Sequence, residues 1–141
     1  MTFNANTILT ATVFAFTMTS VYGAAFRRTC YTAGTVGNEC AQFVNNFCSR
    51  LEGNVAFRNN LARCYNTPNF KCDFGAFYEF PLTSGSTSPA TPAKGSCVDT
   101  LTNVTNTCGG FGGFGNTAGG AFTFTLDPNQ GQCGQLEAPG N

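Results

Sequence analysis

Apolar residues recur every three or four positions in residues 38–51, which is the spacing of one face of a helix. The residues on this face are Cys40, Phe43, Val44, Phe47, Cys48 and Leu51. Asn38 is the predicted N-cap, and Gly53 is the predicted C-cap. The pattern therefore predicts an amphipathic helix that buries one face.

A second helical pattern covers residues 96–108. Its apolar face consists of Cys97, Leu101, Val104 and Cys108. Ser96 and Asp99 have the spacing of a capping box at the start of this helix. We therefore expect a second amphipathic helix, despite its many Thr and Asn residues.

Alternation of apolar and polar residues, the pattern of a half-buried strand, occurs elsewhere in the chain. The predicted strands cover residues 26–32, 61–66, 71–80 and 121–126, with a last short strand at 132–134. Turns are predicted at residues 67–70 and 127–131, because Pro presets φ and Asn tolerates the left-handed conformation. Phe77 interrupts the polar side of its strand, so a short helix from Asp73 is the alternative there.

Two segments lack any periodicity. Residues 81–95 are rich in Ser, Thr and Pro, and they predict an exposed loop that carries O-linked sugar. Residues 109–120, GGFGGFGNTAGG, contain the G-x-G-x-x-G pattern of dinucleotide-binding proteins. Here the pattern follows a helix and precedes a strand, whereas pyrophosphate binding needs the reverse order. We interpret the segment as a flexible loop that lets Phe111 and Phe114 fold back onto the core, with a ligand-binding loop as the alternative.

The start of the chain and its cysteines indicate an oxidising compartment. Residues 8–18 form an apolar run that is shorter than the roughly 20 residues needed to span a bilayer. Small residues follow it, so we predict a secretory signal peptide over residues 1–23 and one domain over residues 24–141. An even number of cysteines behind such a segment predicts disulfides and an extracellular location. The cysteines are Cys30, Cys40, Cys48, Cys64, Cys72, Cys97, Cys108 and Cys133.

Helix geometry excludes some of the disulfide pairings. Cysteines on the same predicted helix are about 12 or 16 Å apart along its axis, whereas a bridge needs Cα atoms within about 7 Å. The excluded pairs are Cys40 with Cys48 and Cys97 with Cys108. Each helix must then be bridged twice to other elements, which favours helices layered on a sheet. Cys64 and Cys72 flank the turn at residue 68 symmetrically, and we expect them to pair.

Charge and residue types exclude several functions. Seven acidic and seven basic residues give no net charge, which disfavours nucleic acid and anionic membranes as partners. The chain has no His and no C-x-x-C pair, which argues against metal sites, and the missing His removes the commonest general base. Only Asp73 and Glu79 share a strand face, about 20 Å apart, which is too far for a glycosidase pair. We predict a protein without catalytic residues, cofactor or metal.

Three motifs and the cysteine framework carry a family resemblance. The motifs are ARCYN at 62–66, KCDF at 71–74 and TLDPN at 125–129. Across residues 30–134 the chain resembles the small secreted fungal glycan-binding proteins of the ink-cap mushroom type. The resemblance implies a single α+β domain with an antiparallel sheet flanked by helices, a dimer formed by sheet-edge pairing, and binding of complex glycans or glycoproteins without catalysis.

Sugars are bound by aromatic faces and by short polar side chains that pair with hydroxyls. Candidates of these types near the first three strands are Tyr31, Tyr65, Asn66, Asp73, Phe77 and Tyr78. Core packing is the alternative role of each aromatic residue. The main hypothesis is a secreted lectin-like protein. The alternative is a secreted cysteine-rich effector or inhibitor that acts through protein contacts at residues 81–95.

Two further expectations concern modification and assembly. Asn103 begins an Asn-Val-Thr sequon, which predicts N-glycosylation in a secreted protein. Residues 122–126 form a regular strand without Pro. If this strand lies at a sheet edge, its unpaired backbone groups favour a two-fold homodimer.

Overall fold

A five-stranded antiparallel sheet organises the chain. The computed structural model describes residues 26–80 and 87–134. The strands are β1 (Phe26–Cys30), β2 (Asn60–Asn66), β3 (Phe70–Tyr78), β4 (Gly113–Thr117) and β5 (Phe122–Gln130). Their order across the sheet is β1-β4-β5-β3-β2. The predicted α+β class is confirmed.

Two helical segments pack on one face of this sheet. The first begins as a 3-10 helix, Asn38–Phe43, and continues as α1, Val44–Ser49; the second is α2, Lys94–Thr107. Both predicted apolar faces are buried, apart from Phe43, which packs partly buried at the edge. The first segment ends before Gly53, and its C-cap is Arg50, so the predicted C-cap is wrong.

The predicted N-caps are also wrong. Gly37 and Ala93 occupy the N-cap positions, and neither helix start has a side-chain cap. Asn38 and Ser96 lie inside the helical segments instead. A β-carbon at Gly37 would come within 2.6 Å of the Pro128 side chain. The first helical segment therefore starts at a tightly packed glycine and has no local side-chain cap.

Strands β2 and β3 form the hairpin that the sequence predicts. Thr67 donates its N–H to the carbonyl of Phe70 at 2.8 Å, and its buried hydroxyl donates to the same carbonyl at 2.7 Å. These bonds close the turn at Pro68 and Asn69. The alternative of a helix from Asp73 is excluded, because this residue lies within β3.

The glycine-rich segment contains an inner strand of the sheet and is not the predicted flexible loop. Strand β4 pairs with β1 on one side and with β5 on the other. Gly113 and Gly115 face the helices, and a β-carbon at Gly115 would lie 2.4 Å from the carbonyl oxygen of Arg27. Phe114 points to the opposite face and is 37% exposed, so it does not fold back onto the core as predicted. Glycine is depleted in strands, which is why local propensity missed a strand that close packing requires.

Strand β5 extends beyond its predicted end. It continues to Gln130, which replaces the turn predicted at residues 127–131, and residues 132–134 are not a strand. Pro128 lies inside it. Strand β4 pairs with β5 only as far as Leu126, so Pro128 lies where one side of β5 has no partner strand, a position that tolerates proline.

The topology also corrects the predicted sheet edge. Strand β5 lies at the centre, between β4 and β3, so residues 122–126 cannot pair with a second copy. The edges of the sheet are β1 and β2. Regular alternation of apolar and polar residues without Pro predicts a strand, but it does not predict whether that strand lies at the centre or at the edge of a sheet.

Four disulfides stabilise the fold, and the first two named here connect the sheet to the helical segments. They are Cys30–Cys108, Cys40–Cys72, Cys48–Cys97 and Cys64–Cys133. Both exclusions within helices hold. The expected Cys64–Cys72 bridge is wrong, because the register places Cys72 opposite Tyr65. Cys64 therefore points to the other face of the sheet.

Some predicted segments fall partly or wholly outside the described residues. The signal peptide predicted at residues 1–23 lies outside them, as do residues 81–86 of the predicted exposed loop. The rest of that loop is not wholly exposed: Ala90 is buried and exchanges two backbone hydrogen bonds with Val55, at 2.8 and 3.0 Å.

The central position of β5 gives a direct test. Thr125 lies opposite Gly75 on β3 and Phe114 on β4. We expect Thr125→Pro to reduce the free energy of unfolding by more than about 2 kcal/mol, because a ladder donor is lost and its acceptor is left unpaired. Thr125→Val, which keeps the N–H and the β-branch, is the control. Chemical denaturation measures both variants, and a proline variant as stable as the control would contradict this strand order.

Candidate functional site

One face of the sheet carries no helix among residues 26–80 and 87–134. The register places alternate side chains of all five strands on this side, which we call the open face. Its members on the three inner strands are Lys71, Asp73, Phe77, Phe114, Asn116, Thr123, Thr125, Asp127 and Asn129. The face is therefore mostly polar and carries isolated aromatic rings.

A groove of about 580 Å³ lies on the open face, between strands β1 and β4 and the end of β3. Its lining side chains include Arg27, Thr29, Glu79, Phe80, Phe114, Asn116 and Thr123. Phe80 is 46% exposed and Phe114 is 37% exposed, and both rank among the most exposed large apolar side chains of the described residues. The groove therefore offers two aromatic rings to a ligand.

The sheet register places the polar groups of the groove around these rings. Thr29 lies opposite Phe114, and Arg27 lies opposite Asn116. The Thr123 hydroxyl donates a hydrogen bond to the carboxylate of Glu79, which orients this acceptor. The groove thus combines a guanidinium, an amide, hydroxyls and a carboxylate, and these groups supply both donors and acceptors.

A second polar cluster adjoins the groove through Phe114. The ring of Tyr31 lies 6.1 Å from the ring of Phe114. Burial raises the pKa of the Tyr31 phenol, and the charge of Asp127 raises this pKa further. The phenol therefore stays protonated at neutral pH and remains a hydrogen-bond donor. Asp73 pairs with Lys71 at 3.4 Å.

The six residues proposed from the sequence are divided between the two faces. Tyr31, Asp73, Asn66 and Phe77 belong to the open face. The amide oxygen of Asn66 accepts the backbone N–H of Cys133 at 2.6 Å, which is a structural role. None of the six lines the groove, and their contact with sugar stays a prediction.

The other two residues of that set lie on the helical side. Tyr78 is 1% exposed and stacks on Phe122 at 4.9 Å, so the alternative of core packing applies to it. Tyr65 stacks on Phe43 at 4.9 Å and donates its hydroxyl to Asn46. Burial raises the pKa of the Tyr65 phenol, although the positive charges of two nearby arginines act to lower this pKa. Tyr65 is therefore half-buried at the edge of the core.

Sequence reasoning missed the residues that line the groove. A signal for one of them was present: in Gly113-Phe114-Gly115, alternation in a strand places the glycines on one face and the ring on the other. The other lining residues come from β1, β4, β5 and the two positions after β3, which meet only in the folded sheet.

Aromatic rings surrounded by hydroxyl-pairing groups on an exposed sheet face are the features of a carbohydrate-binding protein. The family model described as glycan binding domain Y3 matches residues 39–133, and the chain belongs to this family. The chain is 34% identical to the antiviral protein CAP of Coprinus comatus over 95 residues, which cover 67% of this chain and 90% of that protein. The resemblance to ink-cap glycan-binding proteins is confirmed, and carbohydrate binding is the functional class.

No cluster of three or more Cys, Asp or Glu side chains that could hold a metal ion occurs in residues 26–80 and 87–134. Within the same residues, every helix is too short or too polar to cross a bilayer.

Proposed function

We propose that the groove at Phe114 is the glycan-binding site and that the protein is a secreted, lectin-like binder without catalytic activity. The observation that carries the proposal is the exposed Phe114 ring, which inner strand β4 holds on the open face. A ring fixed in this way presents its apolar face to sugar C–H groups at a low entropic cost. Asn116, Thr29 and Glu79 supply the hydrogen bonds that orient sugar hydroxyls.

The absence of catalysis is part of the proposal. The groove is lined by a single carboxylate, that of Glu79. Glycoside hydrolysis ordinarily uses two carboxyl groups that flank the scissile bond. A single carboxylate, oriented by Thr123, fits a hydrogen-bond acceptor for hydroxyls better than it fits half of an acid–base pair.

Secretion, N-glycosylation at Asn103 and a homodimer remain part of this proposal. Four disulfides favour an oxidising compartment. The side chain of Asn103 lies on α2, and its amide oxygen accepts a hydrogen bond at 3.1 Å from Arg28, which also lines the groove. We infer that a dimer would form at edge strand β2, which has seven residues and only one charged side chain, that of Arg63.

The binding site is tested by Phe114→Ala. We expect the affinity for any glycan bound by the wild type to fall at least about tenfold, equivalent to ~1.4 kcal/mol, because the stacking surface is lost. Phe111→Ala is the matched control, since Phe111 lies in the same glycine-rich segment but does not line the groove. A glycan array identifies the ligand, calorimetry measures the affinity, and circular dichroism verifies the fold.

Two results would contradict the binding proposal. An array without signal, recorded with intact protein, would favour the alternative of an effector or inhibitor that acts through protein contacts. Equal losses of affinity in both variants would place the glycan site elsewhere on the surface.

Secretion and modification predict the mass of the mature protein. We expect protein produced in a fungal host to enter the medium, to begin within a few residues of Ala24, and to contain no reactive thiol. Asn103→Gln should remove the mass of one N-glycan. Intact mass spectrometry of the secreted protein, after alkylation under denaturing, non-reducing conditions, measures the start of the chain, the reactive thiols and the N-glycan. Protein retained inside the cells with residues 1–23 attached would refute the predicted signal peptide.

The dimer is tested at the outward backbone groups of β2. Thr67 and Phe70 form a hydrogen-bonded pair, and such pairs alternate along the ladder, so the N–H of Ala62 points away from β3. We expect Ala62→Pro to give a folded monomer, because the proline removes a donor at the interface without removing a β2–β3 bond. Ala62→Val keeps the N–H and should stay dimeric. Light scattering gives the result, and a monomeric wild type at high micromolar concentration would overturn the dimer.

A further inference from the structure

The groove continues into a second compartment at the tip of the β4–β5 connection. This compartment has a volume of about 400 Å³. Its lining residues are Arg27, Phe80, Asn116, Thr117, Ala118, Gly119 and Gly120. Arg27, Phe80 and Asn116 also line the first compartment, at Phe114. Because the same side chains border both spaces, the two compartments adjoin each other along the open face.

The two compartments differ in chemistry. The first contains the Phe114 ring and the Glu79 carboxylate, which suit stacking and strong acceptance of hydroxyl protons. The second has no carboxylate among its lining residues, and its far wall is a backbone turn. Gly120 donates its N–H to the carbonyl of Thr117 at 2.8 Å, and Gly119 adopts a positive φ of 74°.

The residues of this turn leave its backbone accessible. Ala118 and Gly119 are exposed, and a β-carbon at Gly119 would contact nothing within 4 Å. A ligand can therefore approach peptide groups directly, as small residues permit. Arg27 and Asn116, at the junction of the compartments, supply donors to either side.

We propose that the groove binds an oligosaccharide chain of at least two sugar units rather than a single terminal sugar. One unit packs on Phe114 in the first compartment, and the next unit lies in the second compartment against the turn at residues 117–120. Each compartment lies within the roughly 300–1,000 Å³ that holds a small ligand. The inference rests on the proposed glycan-binding function and adds its substrate class.

Ala118 allows the second compartment to be blocked without touching the first. It lines only the second space, and its place in the turn accepts a larger side chain. We expect Ala118→Leu to obstruct that space and to leave the Phe114 compartment open. Ala118→Ser, which is nearly the same size as the wild-type side chain, is the matched control.

The experiment compares sugars by length. Series of one to four units of N-acetylglucosamine, mannose and N-acetyllactosamine are presented on an array, and the bound series is titrated by calorimetry and ligand-observed NMR. We expect wild-type affinity to rise about tenfold from one unit to the length that fills both compartments, as one or two net hydrogen bonds would provide. Ala118→Leu should lose this gain and bind the single unit as the wild type does, whereas Ala118→Ser should keep the gain.

The outcomes separate this inference from the function beneath it. Equal wild-type affinity for single and multiple units, or a gain that survives in Ala118→Leu, would overturn the two-compartment groove while leaving glycan binding intact. Loss of binding to every length in Phe114→Ala supports the first compartment. Absence of wild-type binding to every series would overturn the proposed function, and the oligosaccharide inference with it.

Discussion

The structure depends on the close approach of helix α2 to strand β4, which glycine permits. Gly113 and Gly115 present no side chain to the helix, and a β-carbon at Gly115 would lie 3.2 Å from the methyl group of Thr100 on α2. The same position is limited from the side by the β1 backbone. A larger residue would therefore separate the helix from the sheet and β4 from β1 at the same point.

This packing leaves the sheet with two unlike faces. Both helical segments lie on the side of the glycines, and Cys48–Cys97 joins them to each other. Cys40–Cys72 connects the first segment to β3, and Cys30–Cys108 connects β1 to the end of α2. With the helices held to one side, the alternation of β4 directs Phe114 to the other side. The ring that we assign to glycan binding is exposed for the same reason that the glycines are buried.

The groove also depends on strands that are distant in the sequence. Arg27 comes from β1, Asn116 from β4 and Glu79 from the residue that follows β3. Antiparallel pairing brings these side chains around one aromatic ring, and the bond from Thr123 on β5 orients the carboxylate. A rigid sheet that positions exposed polar and aromatic groups is suited to recognition, and it does so here without two carboxylates in the groove.

The spacing of apolar and turn residues was sufficient to predict the helices, strands and turns that depend mainly on neighbouring residues in the sequence. Helical spacing of apolar residues identified both buried helix faces, because each face follows from the 3.6-residue period alone. The turn at Pro68 and the strands β2 and β3 followed from turn chemistry and alternation. Helix rise also excluded bridges within a helix. By itself, the sequence determined the α+β class, the number of cysteines to be paired and, through its motifs, the family.

The tertiary structure alone decided strand order, disulfide partners and the residues of the groove. The strand position of Gly115 requires glycine because its neighbours leave no room for a side chain, and β5 tolerates Pro128 because β4 does not extend beside it. Tyr78 was a reasonable sugar ligand by type, but the register directs it into the core. Each of these outcomes depends on which segments pair across long separations in the chain, and a periodicity within one segment contains no information about its partner.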